Sequence, residues 1–231
     1  MAGTWTSGLT AGAVGQELIY NNNGEWANYY KGEIVSPYDI PPASADTMDD
    51  EFRGVSISNE WTASTVGTPT YGTSNGGLVY SSTTSETLFL TQALSASGTF
   101  EVCFELDTLV TSLSNVYCYF GLTDGTPVAN NESIHFYFAG NDTNSKLKLT
   151  EQAVATRYGE EYQMGKRIYL KIEYDANDDG SKFYLSWTGK AWTEIYDGIP
   201  GFGTPNKLFI GFQSFNNYVN AATCWWFRKT A

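Results

Sequence analysis

From residue 55 to the C-terminus one pattern recurs: short runs rich in Val, Ile, Phe, Tyr, Trp and Thr, alternating apolar with polar and broken by Gly, Asn, Asp or Ser. A period of two sends successive side chains to opposite faces of a pleated strand, so the pattern predicts strands buried on one face. The expected strands are Gly77 to Ser81, Glu86 to Thr91, Gly98 to Asp107, Asn115 to Thr123, Ser133 to Ala139, Ser145 to Thr150, Arg167 to Asp175, Lys182 to Thr188, Trp192 to Tyr196, Lys207 to Phe215 and Ala222 to Lys229. No stretch carries a sustained helical stripe behind an N-cap. About eleven short strands with polar turns in one domain predict an all-β sandwich or barrel.

The alternation also assigns faces. Phe100, Val102, Phe104 and Leu106 read as core, which puts Glu101, Cys103, Glu105 and Asp107 on the other side. Val116, Cys118, Phe120 and Leu122 read as core and leave Tyr117 and Tyr119 outward. His135 and Tyr137 point away from the core between Ile134, Phe136 and Phe138. Ile168, Leu170, Ile172 and Tyr174 read inward, with Tyr169, Lys171 and Glu173 outward. A solvated face would show more Lys, Glu and Thr than this tyrosine-bearing one.

Charge narrows the partners. The 231 residues carry 13 basic and 25 acidic side chains, a formal charge of −12, which opposes the counterion release that drives nucleic-acid binding and opposes anionic lipid. The acidity lies early: residues 1–145 net −14 and residues 146–231 net +2. The longest apolar run, Val116 to Leu122, is about a third of a bilayer span, and Met1 to Gly8 lacks the basic and apolar regions of a signal peptide. Neither nucleic acid nor membrane is an expected partner. Three scattered cysteines, Cys103, Cys118 and Cys224, cannot build a disulfide framework, and a single histidine without Cys-x-x-Cys predicts no zinc. No cofactor is expected.

Residues 37–48 hold three of the seven prolines around Pro-Pro-Ala-Ser-Ala, the composition of an extended linker. A boundary after residue 48 divides an N-terminal segment, 1–48, from a main domain, 49–231. The segment holds one hairpin signal, Glu17 to Tyr20 and Glu25 to Tyr30 around Asn21-Asn22-Asn23-Gly24. A lone hairpin buries no core of its own. Its Leu18, Tyr20, Trp26, Tyr29 and Tyr30 are therefore the candidate attachment or oligomerisation residues.

Asp49-Asp50-Glu51-Phe52, with Trp61 some ten residues on, resembles the first strand of the concanavalin A-like lectin and glucanase jelly rolls. Tyr174 to Gly180, Phe183 to Trp187 and Gly189 to Trp192 are similar to that superfamily's paired strands ending in a Trp hairpin. The resemblance implies a two-sheet antiparallel jelly-roll sandwich over about 49–229. Val14-Gly15-Gln16-Glu17-Leu18-Ile19-Tyr20 with Gly24-Glu25-Trp26 resembles hairpins of bacteriophage fibre and tail proteins. That implies a segment that attaches to other virion proteins or intertwines, with a trimer favoured, and a displayed β-domain at the virion surface that contacts host polysaccharide.

Of possible chemistries, glycoside hydrolysis is the sharpest, because the glucanases of this architecture carry Glu-x-Asp-x-Glu on one strand. Aligning Glu105 and Asp107 leaves Leu109 at the third position, and aligning Glu101 and Glu105 leaves Cys103 in the middle. Each register fails once, so the chain is expected not to be an enzyme. His135 is the only histidine and no Gly-x-Ser-x-Gly elbow exists, which favours packing or glycan contact over hydrolase chemistry. Asp175-x-Asn177-x-Asp179-Gly180 copies half of an EF-hand loop, but Ser186 stands where a bidentate Glu is needed; a hairpin turn has the same composition. Flat rings with polar edges are what sugar faces stack on. Tyr117, Tyr119, His135 and Tyr137, with Glu101 and Glu105 accepting hydroxyl hydrogen bonds, are the candidate carbohydrate-binding residues on one open face. A buried subunit interface would be equally rich in tyrosine and poor in lysine.

Overall fold

Alternating sequences need two layers to hide their apolar faces, and the computed structural model supplies them. It describes residues 16–20, 26–30, 42, 46–53, 56–73, 76–82, 84–106, 116–128, 132–140, 146–151, 155–161, 165–215 and 220–231. The chain divides into two units, residues 1–42 and 43–231.

In the first unit β1 (Gln16–Tyr20) and β2 (Trp26–Tyr30) pair antiparallel, with Gln16 opposite Tyr30 and Tyr20 opposite Trp26. Leu18, Tyr20, Trp26, Tyr29 and Tyr30 lie on this pair.

The second unit is the expected antiparallel jelly-roll sandwich. Its strands are β3 (Thr62–Val66), β4 (Thr70–Gly72), β5 (Leu78–Ser82), β6 (Thr87–Ala93), β7 (Gly98–Leu106), β8 (Val116–Thr123), β9 (Ser133–Gly140), β10 (Lys146–Glu151), β11 (Ala155–Glu161), β12 (Arg167–Asp175), β13 (Gly180–Ser186), β14 (Thr193–Gly198), β15 (Lys207–Ser214) and β16 (Asn220–Lys229). Sheet I has the order β11-β10-β9-β8-β15-β6-β3, and sheet II the order β14-β13-β12-β7-β16-β5-β4. Three of these strands, β3, β4 and β11, were not expected from the sequence. All five residues of β3 are exposed, so that edge strand has no buried face to impose an alternation. No helix among the described residues is long and apolar enough to cross a membrane.

The faces read from the sequence hold for the core. Phe104 of sheet II meets Phe138 of sheet I edge-on at 5.3 Å, and Tyr80 stacks on Phe212 at 5.3 Å. Fully buried aromatic side chains of this kind contribute about 2 kcal/mol each over leaving them in water. The Tyr80 hydroxyl, carried into the interior, donates to the Glu86 carbonyl at 2.9 Å, which removes the cost of burying it. Cys103, Cys118 and Cys224 are buried and form no disulfide.

The Asp-Asp-Glu-Phe stretch closes the domain against β16. Asp50 exchanges backbone hydrogen bonds with Phe227 at 2.9 and 2.8 Å, and the Asp49 carboxylate accepts from the Lys229 N–H at 2.7 Å. Glu51 takes a two-pronged pair from Arg228, at 2.7 and 3.2 Å, while the guanidinium lies 4.1 Å over the Trp226 ring. Planar bidentate geometry and a stacked ring make this a pairing that lysine would not reproduce.

The Asp-rich segment is a hairpin turn between β12 and β13. Asp175 accepts from the Asn177 N–H at 2.9 Å and Asp178 from the Gly180 N–H at 2.8 Å. Asp179, in the left-handed region with φ 58°, accepts from the Tyr174 and Thr204 hydroxyls at 3.1 and 2.9 Å. Each carboxylate thus serves its own donor, and among the described residues no group of three or more Asp, Glu, His or Cys is placed to hold a metal ion.

Candidate functional site

The outer face of sheet I is built from β6, β15, β8, β9 and β10. Core positions on these strands alternate with Phe89, Phe209, Gly211, Gln213, Tyr117, Tyr119, Gly121, His135, Tyr137 and Lys148. Register then sets the rows. Tyr119 sits between Tyr137 and Gly211, and Gly211 faces Phe89; Gly121 sits between His135 and Phe209. Gly211 leaves a gap into which the Phe89 ring settles, and Gly121 lets the backbone of the paired strand at Ile134 and His135 come close. A β-carbon at Gly211 would collide with the Phe89 ring and stand 3.3 Å from Tyr119 Cδ2.

A continuous aromatic layer results. Phe209 lies 5.9 Å from His135, His135 5.5 Å from Tyr119 edge-on, and Tyr119 stacks near-parallel on Tyr117 at 6.2 Å. Tyr137 touches Tyr117 at 5.9 Å, and the Phe215 ring meets Tyr117 edge-on at 5.1 Å. Lys148 Nζ sits 5.4 Å over Tyr137. Such tilted and edge-on arrangements are the favourable ones for quadrupolar rings.

Access is graded along the layer. Phe209 and His135 are buried, Tyr119 is 5% exposed and donates its hydroxyl to Gln213 Oε1 at 2.7 Å. Tyr117 and Tyr137 are half-buried, and Phe215 is 45% exposed. Burial raises the phenol pKa of Tyr117, so that hydroxyl remains a neutral donor and acceptor at physiological pH. Burial without a charged partner pushes the His135 imidazole down to about 3. Its Nδ1 lies 3.2 Å from Ser133 Oγ.

Two expectations need correction. Tyr119 and His135 do project outward from the core layer, but neighbouring rings cover them, so they support the surface instead of forming it. Glu101 and Glu105 belong to β7 of sheet II and not to the tyrosine face, because the chain crosses between sheets from β7 to β8. On that second outer face Glu105 accepts the Trp225 indole N–H at 3.0 Å and pairs with Arg167 at 3.5 Å, whose guanidinium stacks 4.1 Å over Trp225. Glu101 stands in register with Lys171 and Arg228; burial raises its pKa while both cations pull it down. Cys103 and Tyr169, also expected outward, are buried on this face.

Phe89, Phe209, Gln213, Phe215 and Lys148 are site members that the sequence reading missed. In β15 the core positions Leu208, Ile210 and Phe212 already force Phe209, Gly211 and Gln213 outward. What alternation does not show is that β15 pairs with β8.

Solved structures share this fold. The chain superposes on the GH43 BlXynB protein of Bacillus licheniformis with a TM-score of 0.55 at 15% identity, covering 93% of this chain and 46% of that one. It therefore spans about half the length of that protein. The exoplasmic/lumenal domain of VIP36, in its Ca2+/Man2-bound form, matches with a TM-score of 0.53 at 7% identity over 78% of this chain and 84% of that one. The lectin UEA-II complexed with galactose matches at 0.52 and 10% identity, over 81% and 100%. At these identities the likeness establishes a concanavalin A-like sandwich and leaves activity open. No family model and no curated protein matches the sequence.

Proposed function

We propose that this chain is a bacteriophage virion protein, a fibre or decoration component, whose jelly roll binds host-surface polysaccharide without cleaving it. The observation that carries this reading is the accessible end of the sheet I aromatic layer: Tyr117, Tyr137 and Phe215 beside Lys148, held in place by the buried rings next to them. Rings already immobilised lose little entropy on meeting a sugar face, and their hydroxyls and the ammonium supply the polar contacts. Fold neighbours named for bound galactose and Man2 support a saccharide as the ligand.

The β1–β2 pair, a two-stranded sheet, supports the attachment role. A two-stranded hairpin is marginal alone, so Leu18, Tyr20, Trp26, Tyr29 and Tyr30 are assigned to contacts with virion proteins or with further copies of the chain. Repetition across a particle then multiplies weak contacts through effective concentration.

A glycan array probed with the full chain tests the binding face. Tyr117→Ala and Tyr137→Ala are each expected to weaken binding about tenfold, the loss of one well-placed ring contact. The bound glycan is expected to release no reducing sugar. Failure to bind any glycan leaves a ligand-free decoration protein in its place, and release of reducing sugar makes it a glucanase-like enzyme. Removing residues 1–42 is expected to convert an oligomer to a monomer by sedimentation and to lower apparent affinity for a multivalent polysaccharide about 100-fold.

A further inference from the structure

A groove of about 480 Å³ opens where the segment before β3 meets β3 and β4. Its volume lies in the range of small-ligand sites. Trp61 and Tyr71 supply ring surfaces, and Ser56, Ser58, Asn59 and Thr73 supply hydroxyls and an amide; among the described residues none of the side chains lining it is charged. Trp61 is 7% exposed and packs edge-on against Phe227 at 5.1 Å, so it forms a fixed wall, while Tyr71 is 38% exposed.

Beneath this groove the structure holds several costly features together. Phe52 adopts φ 48°, a conformation that bulky residues rarely take, and its ring lies 6.3 Å from Trp61. The Asp50 carboxylate holds the bend by accepting from the N–H groups of Phe52 at 2.7 Å and Ser58 at 3.3 Å, and burial raises its pKa. The Trp61 indole N–H is buried without a hydrogen-bond partner; Asp50 lies near enough to favour its own ionised form through it, yet the two do not reach bonding geometry. Strain and an unsatisfied buried donor persist where the surrounding structure over-determines them, and they concentrate at binding sites. None of these features serves the aromatic layer of sheet I, which contains none of these residues.

We propose that this groove is a second saccharide subsite, taking one neutral hexopyranose unit with its apolar face on Trp61 and Tyr71 and its hydroxyls on Asn59 and Ser56. An anionic sugar or phosphate would need a cation, and the described residues of the lining provide none. The proposal rests on the carbohydrate reading above and adds a place for a unit that the sheet I face does not contact.

Gluco-, manno- and galacto-configured oligosaccharides titrated into the full chain, followed by NMR at the Trp61 indole N–H and assigned through Trp61→Phe, test it. One of these saccharides is expected to move the Trp61 resonance in the unaltered chain and in Tyr117→Ala. Tyr71→Ala and Asn59→Ala are expected to weaken that response about tenfold at an unchanged thermal midpoint. A saccharide that perturbs the Tyr117 face but leaves Trp61 still overturns the groove and spares the sheet I reading. If saccharides move Trp61 but none perturbs the Tyr117 and Tyr137 resonances, the groove is supported and the sheet I reading is overturned. If no saccharide perturbs either at millimolar concentration, both fall.

Discussion

Acidifying the protein from pH 6.5 to pH 5 is expected to lower its unfolding free energy by about 2 kcal/mol, and His135 is the reason. The imidazole is buried among Tyr119, Tyr137 and Phe209, with Ser133 Oγ at Nδ1 and no carboxylate among these neighbours. Burial lowers its pKa from 6.5 to about 3, so the folded protein keeps it neutral while the unfolded chain takes up a proton. A depressed folded-state value means the stabilisation is complete above the unfolded pKa and drains away as pH falls toward 3. The slope is about 1.4 kcal/mol per pH unit for one proton. With a single histidine in the chain, no other side chain has its ordinary pKa inside that window. Below pH 5 the carboxylates enter with mixed signs. Asp50 and Glu101, raised by burial, favour the folded state as they protonate; Glu173, lowered overall by its bonds from Lys171 and Tyr184 against burial, opposes it. Urea denaturation at pH 7, 6 and 5 reads the slope, and His135→Gln, which stays neutral, is expected to flatten it. Stability that is level from pH 7 to 5, or a His135 resonance titrating near 6.5, would show that the ring is not held in a dry site.

The same histidine marks where the sequence was legible and where it was not. Alternation in Ile134-His135-Phe136-Tyr137-Phe138 placed every side chain on its correct face, and so did the patterns of β7, β8 and β12. Alternation reports a side, however, and not whether that side is wet. Tyr119 and His135 vanish under neighbouring rings, and Gly211 on β15 leaves the space in which the Phe89 ring lies against Tyr119. Nor does periodicity say which sheet a strand joins. Glu101, Glu105 and the tyrosines share an outward phase, yet β7 pairs with β12 and β16 whereas β8 pairs with β9 and β15, which puts them on different sheets of the sandwich. The groove at Trp61 and Tyr71 escaped notice for a related reason. Its strands are exposed edges without apolar rhythm, and its strain at Phe52 is a backbone property that no residue type announces.

Gly121→Ala is expected to destabilise the protein by about 3 kcal/mol or more, a large part of the 5–15 kcal/mol that holds an ordinary domain together. The backbone of Gly121 is not in the left-handed region, so conformation alone would accept alanine, and stiffening the unfolded chain would even help by about 0.5 kcal/mol. The obstacle is what an added methyl meets: it falls on His135 Cβ and on the Ile134 carbonyl oxygen, atoms of the paired strand that no rotamer change can move. Relief requires β9 to separate from β8, loosening the row that carries Tyr119 and Tyr137. Gly211 is the informative contrast. A methyl there collides with the Phe89 ring, which is half-buried and can swing aside, so Gly211→Ala is expected to cost only about 1 kcal/mol. The two substitutions make the same chemical change on neighbouring strands of one sheet, so their difference in denaturation midpoint isolates close backbone approach from glycine entropy. Near-equal midpoints would mean that β8 and β9 are spaced widely enough for an ordinary side chain, and the tight seating of the rings over that strand pair would have to be abandoned.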